Sequence, residues 1–137
     1  MSYEIPGFTR SYEPNADLTN SWFKFVKLSG AVIAACAAVN DPVVGVLQNK
    51  PRPKDQGSVA ITGNAAFAGT VMISGVSRVK TDGAAIAAGA PVYLTADGSV
   101  SATKATNAVC VGVAEEAVGA VSGALVSVLL KPLAAVA

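Results

Sequence analysis

Glu115 and Glu116 are the only acidic residues adjacent in the chain, and a carboxylate pair is where acid–base chemistry would first be sought. They close a β-branched run, Val109–Glu115, in which neighbouring side chains point to opposite faces. They cannot share a proton as a catalytic dyad does, and they read as a solvated strand end. Histidine is absent, which removes the commonest general base and the imidazole metal ligand. Cys36 and Cys110 lie far apart in apolar surroundings and form no CxxC motif. They read as small buried side chains, and a disulfide cannot be inferred from two positions. The stretch Gly63-Asn64-Ala65-Ala66-Phe67-Ala68-Gly69 has glycines but neither the Lys-Ser/Thr nor the following helix of a phosphate cradle. Trp22, Phe23 and Phe25 beside Lys24 and Lys27 make a mixture able to stack bases. A net charge of +1 gives no general attraction to nucleic acid, however, so the run reads as a core strand with lysines outward. The expectation is a protein that is not an enzyme, with no catalytic residue, no cofactor, no metal and no direct nucleic-acid contact.

These residues must be held by an unusual composition. Of 137 residues 52% are apolar and only 14% charged, with 26 Ala and 20 Val among them. The mean hydropathy is +0.49. A spanning helix needs about 20 mostly apolar residues. Ala117–Leu130 is too short and contains Gly119, Ser122 and Gly123, while Gln56–Ser77 is broken by Ser, Thr, Asn and Gly. No membrane partner is expected. The start, Met-Ser-Tyr-Glu, lacks the basic and apolar regions of a signal peptide, so use without export is expected. The excess apolar surface is assigned to contacts between chains.

From Ser21 onward, short β-branched runs alternate with Gly, Pro, Asn and Asp, the signature of strands and turns. Strands are expected at Trp22–Leu28, Val43–Gln48, Ser58–Thr62, Thr70–Ser74, Val76–Thr81, Pro91–Thr95, Val109–Glu115 and Leu125–Lys131. Asp97-Gly98 is a hairpin signal before Ser99-Val100-Ser101. The Ala-rich pieces Ala31–Ala38 and Ala84–Ala90 suit one helical turn or a loop packed on a barrel. Lys50-Pro51-Arg52-Pro53-Lys54 reads as an exposed basic loop, since two prolines exclude a central strand. Residues 1–20 show no period and read as an extended arm carrying Tyr3, Ile5, Phe8 and Tyr12, with residues 21–137 forming the β-rich domain. Shifted by 67 residues, Val44-Gly45-Val46 falls on Val111-Gly112-Val113, Asn40 on Asn107, Val59 on Val126 and Ile61 on Val128. The expected fold is therefore all-β: a small compact β-barrel or β-sandwich from two similar units, with an extended N-terminal arm.

Several passages together resemble a known family. They are Phe25-Val26-Lys27-Leu28, Val44-Gly45-Val46-Leu47-Gln48-Asn49-Lys50-Pro51 and Ile86-Ala87-Ala88-Gly89-Ala90-Pro91-Val92-Tyr93-Leu94, followed by Gly98-Ser99-Val100, Val111-Gly112-Val113-Ala114 and Val126-Ser127-Val128-Leu129-Leu130. The order is similar to that of the capsid decoration, or cement, proteins of tailed bacteriophages, over roughly Phe25 to Leu130. The resemblance implies a β-tulip-like structural protein of the virion, made in the host cytoplasm. It implies a homotrimer on the outer capsid surface that stabilises the lattice, with the major capsid protein and neighbouring decoration trimers as partners. Tyr3, Ile5, Phe8, Tyr12, Trp22, Phe23 and Phe25 are the candidate contacts to capsid or neighbouring subunit. A self-polymerising fibre, pilus or surface-layer subunit is the alternative that the same composition suits.

Overall fold

The computed structural model describes residues 5–6, 8–51, 65–66 and 68–131. Among them there is no α-helix, only a single 3-10 turn at Thr19–Ser21. The strands are β1 (Ile5–Pro6), β2 (Thr9–Pro14), β3 (Phe25–Ser29), β4 (Val32–Ala35), β5 (Val43–Leu47), β6 (Lys50–Pro51) and β7 (Ala65–Ala66). After them come β8 (Gly69–Met72), β9 (Gly75–Lys80), β10 (Pro91–Leu94), β11 (Val100–Ser101), β12 (Cys110–Ala114) and β13 (Leu125–Leu130).

The β-branched runs supply most of these strands, and the Asp97-Gly98 signal is a true hairpin: Leu94 faces Val100 and Tyr93 faces Ser101. Gly98 takes a positive φ of 89° there, a conformation that costs glycine nothing. The expected strand Ser58–Thr62 lies outside the described residues. Three expectations are corrected. Val32–Ala35, inside the first Ala-rich piece, is a strand rather than a helical turn or loop. Gly30, at φ 65°, turns the chain back on β3, and the Asp41 carboxylate accepts the N–H groups of Ala37 and Ala38 at 2.7 and 2.9 Å. Both ends of the piece are thus tied into turns, and pairing overrides the helix preference of Ala. The second correction concerns the arm. From Thr9 to Pro14 the chain is a barrel strand, antiparallel to β8 and parallel to β4. Only Tyr12 and Pro14 of this strand turn apolar surface inward, so it is held by its backbone pairing and carries no hydrophobic period. The third correction is at Lys50–Pro51, expected in an exposed loop. It is a strand paired with Ala65–Ala66 in a separate two-stranded sheet, with Pro51 buried and its carbonyl accepting the Leu18 N–H at 2.9 Å, while residues 52–54 lie outside the described residues.

Five strands, β2-β4-β3-β5-β8, close into a barrel, and a six-stranded sheet runs β1-β9-β13-β12-β10-β11. The two correspond strand by strand. Round the barrel the order is β2, β8, β5, β3, β4; across the sheet it is β9, β13, β12, β10, β11. Phe25 faces Val46 as Pro91 faces Val113, and the register slips after Val26 as it does after Val92. Val46 faces Met72 as Val113 faces Leu129. A parallel pairing of Pro14 with Ile33 closes the barrel, and a parallel bridge from Thr81 to Val100 brings together the two ends of the second set. By this register β13 answers to β8, not to Ser58–Thr62 as the 67-residue shift would have it.

Each set encloses apolar side chains. Val26, Ile33, Leu47, Val71 and Leu18 fill the first barrel. Val92, Val100, Ala114, Val128 and Ile86 hold the matching places in the second, within a larger cluster that also takes in Phe25, Val46 and Met72. These last three sit on the alternate face of their strands, outside the first barrel. That outer face is the seam joining the closed barrel to the six-stranded sheet, which its one parallel bridge curls into a second, barrel-like unit.

Candidate functional site

The seam is built from Trp22-Phe23-Lys24-Phe25. Phe23 takes a positive φ of 60°, and its carbonyl accepts the Lys80 N–H at 2.8 Å, while the Phe25 N–H donates to Gly98 across the seam at 2.8 Å. Phe25 is fully buried and Phe23 nearly so, so these two candidate contacts spend their rings inside the molecule. Trp22 is half-buried, stacks on Phe23 with ring centroids 4.6 Å apart, and donates its indole N–H to the Gln48 carbonyl at 3.1 Å. The Lys50 ammonium lies 4.6 Å from the Trp22 ring centre and the Arg78 guanidinium 4.8 Å from that of Phe23. The result is a ladder of cation, indole, phenyl and cation across the seam, each step favourable through the ring quadrupole. Lys24 reaches Asp97 at 3.5 Å, and Gln48 Nε2 donates to Ser77 Oγ at 3.0 Å. Burial, then the nearby charges of Lys24 and Lys50, lower the pKa of Lys80.

The remaining candidates lie apart from this seam. Phe8 is 61% exposed. Tyr12 is half-buried against the first barrel's interior, with the Arg10 guanidinium 5.5 Å from its ring centre. Ile5 pairs through its backbone with Val76, and Tyr3 lies outside the described residues. Sequence reasoning missed another surface. Val113 and Leu129, directly opposite each other on β12 and β13, are 41% and 48% exposed, and Pro91, facing Val113, is exposed beside them. Leu28 is 40% exposed at the end of β3. The 67-residue shift could not have found it, because it sets Leu129 on Thr62, whereas the strand registers set it on the buried Met72.

Among the described residues no arrangement resembles a reaction centre. Glu115 is exposed, while Glu116 accepts the Ser127 N–H at 3.2 Å; both lie in a bend just past the end of β12, so the expected strand period does not govern them. Cys36 and Cys110 are free thiols. Burial first, and the Asp41 charge next, push the Cys36 thiol up to about 12, which leaves it a weak nucleophile at neutral pH. Among the described residues no group of three Cys, Asp or Glu side chains could hold a metal ion, and no helix is long and apolar enough to cross a membrane. What the surface offers is apolar and cationic contact area.

A family model described as phage cement protein matches residues 24–130. No curated protein matches the chain.

Proposed function

Because the chain belongs to the phage cement protein family, whose name implies a structural, capsid-binding role in the virion, we propose that it binds the outer surface of the assembled head and reinforces the shell. The match over residues 24–130 carries this reading. It works as a homotrimer whose partners are the major capsid protein and neighbouring decoration trimers, and it is made in the host cytoplasm. The composition supports this: a chain with 52% apolar residues gains by burying surface between copies. Many copies on one lattice act together, so each contact can be weak. The protein catalyses nothing; its work is adhesion.

Its two barrels are read as products of a tandem duplication, supported by the matching strand orders and registers. Tyr3, Ile5 and Phe8 are read as contacts to the capsid, supported by Phe8, which is exposed. Trp22 lies beside Lys50, a cationic flank that suits an acidic capsid surface.

Heads assembled without this protein provide the test. The purified chain should co-sediment with them, saturate at copy numbers divisible by three, and raise the temperature at which the heads release DNA. Phe8→Asp should weaken binding about tenfold or more while leaving the fold intact, as expected for an exposed anchor. Failure of the wild-type chain to co-sediment would overturn the proposal.

A further inference from the structure

The seam inside the molecule is a worked example of how one barrel seats on another. The first barrel presents Phe25, Val46 and Met72 in one row across β3, β5 and β8, and all three are buried with the second barrel's core. The second barrel receives them beside Val79, Leu94 and the turn at Gly98, where the Phe25 carbonyl comes so close that any larger residue at Gly98 would collide with it. The presenting row recurs on the second barrel as Pro91, Val113 and Leu129, in the same register, apolar and exposed. The receiving positions recur on the first barrel as Tyr12, Leu28 and the turn at Gly30. Leu94 is buried but Leu28 is not, and a methyl group at Gly30 would have nothing within 4 Å. One molecule therefore carries one used junction and both halves of an unused one.

We infer that a second copy of this chain fills it: the Pro91–Val113–Leu129 row of one copy seats on the Tyr12, Leu28 and Gly30 positions of the next, head to tail. The inference deepens the trimer reading above and rests on it for the number of copies. Three chains with two barrels each then make a ring of six barrels, with alternating internal and intermolecular seams. Charge complementarity supports the same pairing. Gln48 and Ser77 bridge the internal seam at 3.0 Å. Their counterparts by register are Glu115 and Arg10, both exposed and opposite in charge, so a neutral hydrogen bond inside the chain becomes an ion pair between chains. One contact does not repeat. Phe25 donates its N–H to Gly98, whereas Pro91 has no N–H to give, which leaves the intermolecular seam the weaker of the two.

The test is the mass of the full chain in solution, by sedimentation equilibrium over a concentration series. Wild type should be trimeric. Leu129→Lys should move the dissociation midpoint at least tenfold upward with an unchanged circular dichroism spectrum, since this side chain is half exposed in the single chain. Arg10→Glu should weaken association at low salt, and Arg10→Glu combined with Glu115→Arg should restore it. A trimer undiminished by Leu129→Lys and by Arg10→Glu overturns this seat while leaving the trimer standing. A wild-type monomer at all concentrations overturns both. Unchanged trimer mass in Leu129→Lys with lost head binding gives the surface to the capsid, which also overturns the seat. Open-ended growth abolished by Leu129→Lys supports the seat and overturns the closed trimer.

Discussion

Asp97 shows how much a single turn residue contributes. Its carboxylate accepts the Thr95 hydroxyl at 2.6 Å, the Ser99 hydroxyl at 2.7 Å and the Ser99 N–H at 3.0 Å, and it faces Lys24 across the seam. Partial burial works to raise its pKa, but the hydrogen bonds from Thr95 and Ser99 and the Lys24 charge outweigh that and hold it far below the usual carboxylate range. A carboxyl group with a depressed pKa in the folded state stabilises the fold fully above its unfolded value, about 3.9. That contribution is lost as the pH falls towards the lower folded-state value. Asp97→Asn should therefore melt at a lower temperature than wild type at pH 7, with the gap narrowing steadily as the pH falls below about 4; thermal melts over a series of acidic pH values check it. Residue-level signals of this local kind were legible in the sequence, because an Asp-Gly turn is made by the residues themselves. The fates of Phe23 and Phe25 were not. An aromatic pair beside lysines suits a buried seam and an exposed docking patch equally well, and which one it becomes depends on a second barrel about 70 residues downstream.

At the scale of elements, Gly45 on β5 and Gly112 on β12 each leave no room for a side chain against the neighbouring strand. A methyl group at Gly45 would overlap the Met72 carbonyl and the Val71 side chain, and one at Gly112 would overlap the Leu129 carbonyl and the Val128 side chain. The two collisions are with residues at matching register positions. Gly45→Ala and Gly112→Ala should each destabilise by about 1–3 kcal/mol, as overpacking does, and by similar amounts, measured by urea unfolding. Inequality by several-fold would mean that the two barrels do not pack their β5 and β12 strands alike. The Val-Gly-Val repeat was visible in the sequence because it lies in this constrained place. β2 was not visible, since it turns so little apolar surface inward. β4 was masked by alanine, whose intrinsic preference is for helix and whose strand state here comes from turns at Gly30 and Asp41.

For the whole molecule, the larger cluster reaches from Phe25, Val46 and Met72 into the six-stranded sheet, so the core of that second unit is incomplete without the first barrel, which adds a smaller cluster of its own. The protein should unfold in one transition, with fluorescence of Trp22 and far-ultraviolet circular dichroism tracing the same curve. Phe25→Ala should cost about 3–5 kcal/mol. Two separated transitions in wild type would show that the barrels are energetically independent. All-β class and most strand positions follow from the sequence pattern. The arrangement of a closed barrel and a six-stranded sheet along one chain does not, because it is set by which faces of the strands meet, and a period of two says only that there are two faces.

The first barrel is closed by β2, whose antiparallel partner β8 lies some sixty residues further along, and Ile5–Pro6 pairs with β9 beyond it. A chain emerging from the ribosome thus exposes β2 well before its antiparallel partner exists, with only the short parallel pairing to β4 available earlier. Pairings so distant in sequence are slow to form, and the receiving surface around Tyr12 and Leu28 does not exist until β8 has arrived. Synthesis order then acts as a timer: a copy cannot capture its neighbour until its own first barrel is shut.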